Sequence, residues 1–133
     1  MKLLIGLLFS VTLLFGFDRY WAKSYDEAIK QAKVEKKKVY MLITSDDCRW
    51  CRKFENTTLK EEATIAKLNS KYILLHVNRD KDVFPEKYIR KGVPRHYVLS
   101  ENENIIYTFL GYWNHEDFFS FMSEAEKRFS YMK

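Results

Sequence analysis

The sequence predicts an α/β fold in which helices cover both faces of a central mixed sheet. Two continuous apolar runs, Val39–Thr44 and Tyr72–Val77, are typical of strands buried on both faces, and helical segments lie between them. Strands joined through helices are expected to be parallel. Two further strands, Arg95–Leu99 and Asn104–Leu110, are separated by polar, turn-forming residues, and this spacing predicts an antiparallel hairpin.

Capping patterns mark where the first helices begin. Ser24 and Glu27 have the spacing of a capping box, which predicts a helix that ends near Lys38. The segment 58–61 repeats this pattern and predicts a helix that continues to Leu68.

Three more helices are predicted from turn and capping residues. One starts at or just after Cys48 and ends near Asn56. Pro85 suits the first turn of a short helix that Gly92 would end. Asn114 can cap the last helix, whose apolar face contains Phe118, Phe121, Met122, Ala125 and Phe129.

The start of the chain predicts export. A short positive start precedes the mainly apolar residues 3–17, and Asp18 ends this run. About fifteen apolar residues match the core of a signal peptide and fall short of the roughly 20 in a membrane-spanning helix. We therefore predict a signal peptide at residues 1–17 and one domain at 18–133. The alternative is an uncleaved anchor, with residues 3–17 as a membrane tether.

Composition limits the class of protein and the class of partner. The chain has 133 residues, enough for one domain, and 47% are hydrophobic, which argues against disorder. The formal net charge is +5, but Lys and Arg are scattered. The densest run, Lys36–Lys38, falls at a predicted helix end, where cations suit the helix dipole. This distribution argues against a nucleic-acid partner.

The chemistry is indicated by Cys48 and Cys51, the only cysteines, which lie three positions apart after a buried strand. A strand that runs through Cys-x-x-Cys into a helix holds two thiols close enough to form a disulfide. It also puts the first thiol at a helix N-terminus, where free N–H groups favour the thiolate. The thiolate is the species that attacks disulfides, so the motif predicts thiol–disulfide exchange.

Other interpretations of the two cysteines are weaker. A static disulfide is the main alternative, but closing so short a loop stabilises a fold little. Haem attachment needs His after the second cysteine, where Arg52 stands, and a zinc site needs two more ligands. We therefore expect no metal and no organic cofactor.

Two motifs together resemble the thioredoxin-like superfamily. They are Cys48-Arg49-Trp50-Cys51 after a buried strand and Gly92-Val93-Pro94 before a hairpin. More narrowly, the chain is similar to exported bacterial thioredoxin-like proteins that read Cys-x-Trp-Cys followed by basic residues, here Arg52-Lys53. The resemblance covers Tyr20 to Phe129 and implies a thioredoxin fold.

The resemblance also implies a role for each matching residue. Cys48 would be the attacking cysteine and Cys51 the resolving one. Pro94 would be a cis-proline beside the disulfide, with the Val93 backbone pairing with an extended substrate. Trp50, between the two cysteines, is expected on the surface in contact with partner proteins rather than in the core.

The chain departs from the family at its proton route. Many thioredoxins bury an Asp six residues before the first cysteine, and here that position is Leu42. Glu55, one turn after Cys51, could replace it as proton acceptor, or could be a solvated helix residue. His96 could line the site or be a core residue, and His76 is expected to be a core or edge histidine.

We expect an exported thiol–disulfide oxidoreductase that acts in the periplasm and reduces protein disulfides. Its partners would be protein disulfide substrates and a dithiol protein that supplies electrons. The alternatives are an oxidase or isomerase that donates its disulfide, and a non-enzymatic binding module with a thioredoxin fold.

Overall fold

The computed structural model describes residues 20–133, which form a mixed β-sheet with helices on both faces, as predicted. The strands are β1 (Trp21–Ala22), β2 (Lys38–Thr44), β3 (Tyr72–Asn78), β4 (Arg95–Leu99) and β5 (Ile105–Leu110). The helices are α1 (Tyr25–Glu35), α2 (Arg49–Asn56), α3 (Glu62–Lys71) and α4 (His115–Tyr131). No helix within residues 20–133 is long and apolar enough to cross a membrane. The predicted export segment 1–17 lies outside the described residues and stays a prediction.

The sheet order brings the ends of distant segments together. The strands lie in the order β1-β3-β2-β4-β5. Strands β1 and β2 run parallel to β3, whereas β2 pairs antiparallel with β4 and β4 with β5. Ile43, near the end of β2, pairs with Arg95, the first residue of β4. The cysteines lie in the segment after β2, and Pro94 lies in the segment before β4. These two segments are therefore at the same end of the central strands.

Side chains of the central strands alternate between two apolar layers, as the period of a strand requires. The layer under α1 includes Val39, Met41, Ile43, Ile73, Leu75 and Val77. The layer under α2, α3 and α4 includes Tyr40, Leu42, Leu74, Phe54, Ile65, Leu68, Phe118 and Met122. Because both faces are covered, residues Val39–Ile43 of β2 and 72–75 of β3 are apolar at every position rather than at every second one.

Two predicted helix caps are confirmed. The Ser24 hydroxyl accepts a hydrogen bond from the Glu27 N–H at 3.1 Å, and Asn114 caps α4 in the same way. The first helix ends at Glu35, three residues earlier than predicted, because Lys36 takes a left-handed conformation with φ of 53°. Lys38 then already belongs to β2.

The capping role predicted for Thr58 is wrong. Helix α3 begins at Glu62, and its N-cap Glu61 makes no side-chain capping hydrogen bond. Thr58 is buried instead, and its hydroxyl donates a hydrogen bond to the Trp113 carbonyl at 2.7 Å. The hydroxyl predicted to cap the helix thus bonds instead to a carbonyl 55 residues away along the chain.

The short helix predicted between Pro85 and Gly92 is also wrong, because this segment consists of turns and irregular chain. The Arg90 guanidinium donates a hydrogen bond to the Phe84 carbonyl at 2.7 Å and so holds the segment in a loop. Tyr88 anchors it, since this side chain is buried and its hydroxyl lies 2.7 Å from that of a tyrosine in α1.

Candidate active site

The two cysteines lie where β2 gives way to α2. Cys48 is the N-cap of α2 and Cys51 lies in its first turn, and the two form a disulfide with Cα atoms 5.2 Å apart. Cys48 is half-buried, whereas Cys51 is fully buried. The difference follows from helical spacing, because Cys51 shares the sheet-facing side of α2 with Phe54, three residues on. Only Cys48 is therefore within reach of another protein.

The surroundings of the Cys48 sulfur favour negative charge. The Cys51 N–H donates a hydrogen bond to this sulfur at 3.1 Å. The first turn of α2 contains no acidic residue, and the helix dipole places partial positive charge at this end. These two features favour negative charge on the Cys48 sulfur, whereas the acidic residues Asp46 and Asp47 precede it in the chain.

The turn before Cys48 is held by polar contacts. The Arg52 guanidinium donates hydrogen bonds to the Ser45 carbonyl at 2.6 Å and to Glu55 at 2.7 Å. The Asp46 carboxylate accepts a hydrogen bond from the Asn78 side chain at 2.9 Å. This bond, together with a neighbouring lysine, holds the pKa of Asp46 below its ordinary value. The turn is thereby tied both to α2 and to the end of β3.

Glu55 is half-buried one turn after Cys51 and has an unused acceptor atom. Its Oε2 bonds to Arg52, whereas its Oε1 is buried, accepts no hydrogen bond and lies 3.5 Å from Nε2 of His76. Glu55, His76 and Leu42 line an open cavity of about 580 Å³. Leu42 is fully buried and pairs with His76 in the sheet, so no carboxylate occupies that strand position.

His76 also lines this cavity, and the sequence did not single it out as a site residue. Its Nε2 lies 2.7 Å from the Thr44 hydroxyl, and Trp21 contacts the edge of its ring. Partial burial lowers the pKa of His76 below its ordinary value, against the attraction of the Glu55 carboxylate. The imidazole is therefore expected to be neutral at pH 7.

The Val93–Pro94 peptide bond is cis, as the resemblance implied. Pro94 is buried, and its carbonyl accepts a hydrogen bond from the Gly111 N–H at 2.8 Å. Within the described part of the chain, neither the N–H nor the carbonyl of Val93 has a hydrogen-bond partner. Val93 thus offers one hydrogen-bond donor and one acceptor at the end of the central strands where the cysteines lie.

Trp50 is 47% exposed, as expected for a surface aromatic between two cysteines. Its ring centroid lies 6.0 Å from that of Tyr112, which follows β5. The Lys53 ammonium lies 5.2 Å from the Trp50 centroid and 4.6 Å from the Tyr112 centroid. The pairing of Trp50 with Tyr112 was not visible in the sequence, because the two residues are far apart along the chain.

His96 is a core residue and does not line the site. It is fully buried; its Nδ1 lies 2.7 Å from the Tyr40 hydroxyl and its Nε2 lies 2.8 Å from the Gly111 carbonyl. Because a carbonyl can only accept, Nε2 carries the proton and Nδ1 accepts from the tyrosine. Burial lowers the pKa of His96 to about 3. His96 acts on the site indirectly, since it holds Gly111, which in turn bonds to Pro94.

Comparison with known proteins identifies similar chains. A family model described as a thioredoxin-like domain matches residues 25–126. The structure is similar to a DsbH oxidoreductase, with a TM-score of 0.65 and 20% identity over 80% of this chain and 83% of that one. It is similar to a thioredoxin from Thermus thermophilus, with a TM-score of 0.65 and 19% identity over 80% and 84%. A third match is the reduced periplasmic thioredoxin SoxS from Paracoccus pantotrophus, with a TM-score of 0.57 and 8% identity over 69% and 98%. No curated protein matches the chain significantly.

Proposed function

Because this chain belongs to the thioredoxin-like family and is a thiol–disulfide oxidoreductase, we propose that it reduces disulfides of other proteins outside the cytoplasm. The observation that carries the proposal is the asymmetry of the cysteine pair. Cys48 is accessible at a helix N-terminus, and Cys51 is buried directly behind it. One thiol is thus suited to attack a partner, and the other to act only within this chain.

The exchange takes place in two steps. The Cys48 thiolate attacks one sulfur of the substrate disulfide, and a mixed disulfide forms while the other substrate sulfur leaves as a thiolate and takes up a proton. Cys51 then loses its proton and attacks the Cys48 sulfur, which releases the second substrate thiol. The substrate gains two electrons and the chain is left with the Cys48–Cys51 disulfide. A second dithiol protein supplies the electrons that restore the dithiol, so that the chain needs no organic cofactor or metal.

Glu55 is proposed to accept the proton of Cys51. It lies one turn along the same helix, and its Oε1 has no hydrogen-bond donor. The cavity that it shares with His76 gives the proton a route to solvent. A carboxylate at this place can take the role of the buried Asp that many thioredoxins have where this chain has Leu42.

Val93, Pro94 and Trp50 are proposed to bind the substrate. An extended peptide can pair with the free N–H and carbonyl of Val93 in the segment before β4, and main-chain bonds of this kind do not depend on the peptide sequence. Pro94 fixes this residue beside the hairpin through its bond to Gly111. The exposed ring of Trp50 offers apolar contact next to Cys48.

Export is proposed from the apolar segment 3–17, which acts as the core of a signal peptide covering residues 1–17. A periplasmic site of action fits one structural neighbour, the periplasmic thioredoxin SoxS. A secreted reporter fused after residue 17 tests this segment, and retention of the fusion in the membrane would favour a tether instead.

A trapping experiment tests the exchange. Cys51→Ala removes resolution and keeps attack, so this variant is expected to accumulate mixed disulfides with proteins of the exported compartment. Cys48→Ala is the matched control and is expected to trap far fewer, because its remaining thiol is buried. If neither variant captures a protein, the cysteines only close the loop, and the chain is a binding module.

The reduction potential of the cysteine pair against glutathione decides the direction. A reductase is expected near the value of thioredoxin, about −270 mV, whereas a strong disulfide donor lies near about −120 mV. A potential close to the second value would overturn reduction and leave disulfide donation.

A further inference from the structure

Next to Cys48 the surface is both aromatic and cationic. We call it the Trp50 surface, and define it by Arg49, Trp50, Lys53 and Tyr112. The Lys53 ammonium lies within 5.2 Å of both ring centroids, and the Arg49 guanidinium lies 5.3 Å from the Trp50 centroid. Two cations are therefore held against two rings beside the attacking sulfur.

The positive charge of this surface is not neutralised by the protein itself. Among residues 20–133, no carboxylate lies within 4.0 Å of the Arg49 or Lys53 side chains. Arg52, on the same helix, differs because it is paired with Glu55 at 2.7 Å. Contact with a ring does not cancel a charge, so Arg49 and Lys53 can each still bind an anionic group.

Charge changes sign across Cys48 along the chain. On the side before the cysteine, Asp46 is already engaged with Asn78 and a lysine, and Asp47 is exposed. On the side after it, Arg49 and Lys53 are exposed. A bound segment thus meets negative charge at one end of its path and positive charge on the Trp50 surface.

The Trp50 surface is continuous with the place where a peptide can add to the sheet. Tyr112 follows Gly111, whose N–H donates to the Pro94 carbonyl at 2.8 Å, and Val93 with its free backbone groups precedes Pro94. A segment paired with Val93 and bonded to Cys48 therefore lies beside the rings of Trp50 and Tyr112.

We propose that the Trp50 surface selects protein disulfides whose reactive cysteine has acidic side chains next to it, on the side that meets this surface. Lys53 and Arg49 bind the carboxylates, while the two rings pack against the aliphatic parts of the segment. This inference rests on the proposed function and narrows its substrate class. It predicts discrimination by charge that weakens as salt rises, since the contacts are exposed.

The test compares three short peptides that differ only in charge. Each carries one cysteine activated as a mixed disulfide with neutral 2-thiopyridine, and the cysteine is flanked by two Glu, two Gln or two Lys residues. The reduced Cys51→Ala variant attacks the peptide, forms the protein–peptide disulfide and releases 2-thiopyridone, which is followed by absorbance. The acidic peptide is expected to react about tenfold faster than the basic one at low salt, and the ratio should approach one at 1 M salt.

Charge-changing variants in the same Cys51→Ala background locate the effect. Lys53→Glu is expected to bring the acidic-to-basic rate ratio to one or below, and Lys53→Gln to an intermediate value. Lys30→Glu is the matched control, because it makes the same charge change at an exposed position of α1, on the opposite face of the sheet. It is expected to keep most of the preference. The rate with the neutral peptide reports any change in the reactivity of Cys48 itself. Such a change cancels in the acidic-to-basic rate ratio.

The outcomes separate this inference from the function on which it rests. Equal rates for the three peptides overturn the selection of acidic substrates and leave disulfide exchange intact. An equal loss of preference in Lys53→Glu and Lys30→Glu also overturns it, because the net charge of the protein then explains the effect. If Cys48 releases thiopyridone from none of the peptides, the proposed function fails and the inference fails with it.

Discussion

The buried His96 is expected to make the stability of this protein depend on pH. Its two ring nitrogens contact the Tyr40 hydroxyl and the Gly111 carbonyl as a neutral imidazole, and burial lowers its pKa to about 3 from an ordinary value of 6.5. Below pH 6.5 the unfolded chain therefore binds a proton at His96 that the folded chain does not. The contribution is fully present above pH 6.5 and is lost as the pH falls towards 3.

The size of the effect follows from the difference between the two pKa values. Each unit corresponds to about 1.4 kcal/mol, so the His96 contribution amounts to about 5 kcal/mol over the whole range. Between pH 7.5 and pH 5 the unfolded state gains most of one proton, and the free energy of unfolding should fall by about 2 kcal/mol on account of His96 alone.

Urea unfolding of the oxidised protein at pH 5 and pH 7.5 measures this loss. His96→Gln is expected to remove about 2 kcal/mol of the pH-dependent difference, although the variant is less stable at both pH values. His76→Gln is the comparison variant, because the lowered pKa of His76 also makes the free energy of unfolding fall as the pH falls. If His96→Gln retains the full pH dependence of the wild type, the reasoning is wrong. As a second measurement, the NMR signals of the His96 ring should not shift between pH 7.5 and pH 5.

Three further predictions concern the thiols and the buried Thr58. Iodoacetamide should modify Cys48 of the reduced protein before Cys51, which is fully buried, as measured by mass spectrometry; preferential modification of Cys51 would reverse the proposed roles. Glu55→Gln should slow the release of the second substrate thiol on the order of 100-fold at neutral pH in quenched-flow measurements, and an unchanged rate would exclude Glu55 as proton acceptor. Thr58→Ala should lower the free energy of unfolding by about 1–3 kcal/mol in urea, because the Trp113 carbonyl loses its donor; a negligible loss would show that water replaces the hydroxyl.

Local patterns were sufficient where the interacting groups are close in sequence. The Ser24 and Asn114 caps bond to N–H groups three residues on, so their sequence spacing already contains the geometry. The same is true of the cysteine pair, because three residues at the start of a helix bring two thiols within bonding distance whatever the rest of the fold.

The errors arose where a distant partner competes with the local one. Thr58 has the right spacing for a cap, but its hydroxyl bonds to Trp113 and is unavailable to α3. The segment between Pro85 and Gly92 has helix-end residues, but Arg90 and the buried Tyr88 hold it as a loop. Strand β1, only two residues long, was missed because so short an element leaves no periodic pattern.

The sequence by itself determined the α/β class, the mixed sheet and the presence of a Cys-x-x-Cys pair at a helix start, because each depends on periodicity or on residues within one turn of each other. Only the tertiary structure decided which side chains surround that pair. It brings His76 to Glu55, Tyr112 to Trp50, and His96 into the core. These neighbours come from β3, from the segment after β5 and from β4, and contacts between such distant segments are fixed by the strand order and packing, which no local pattern contains.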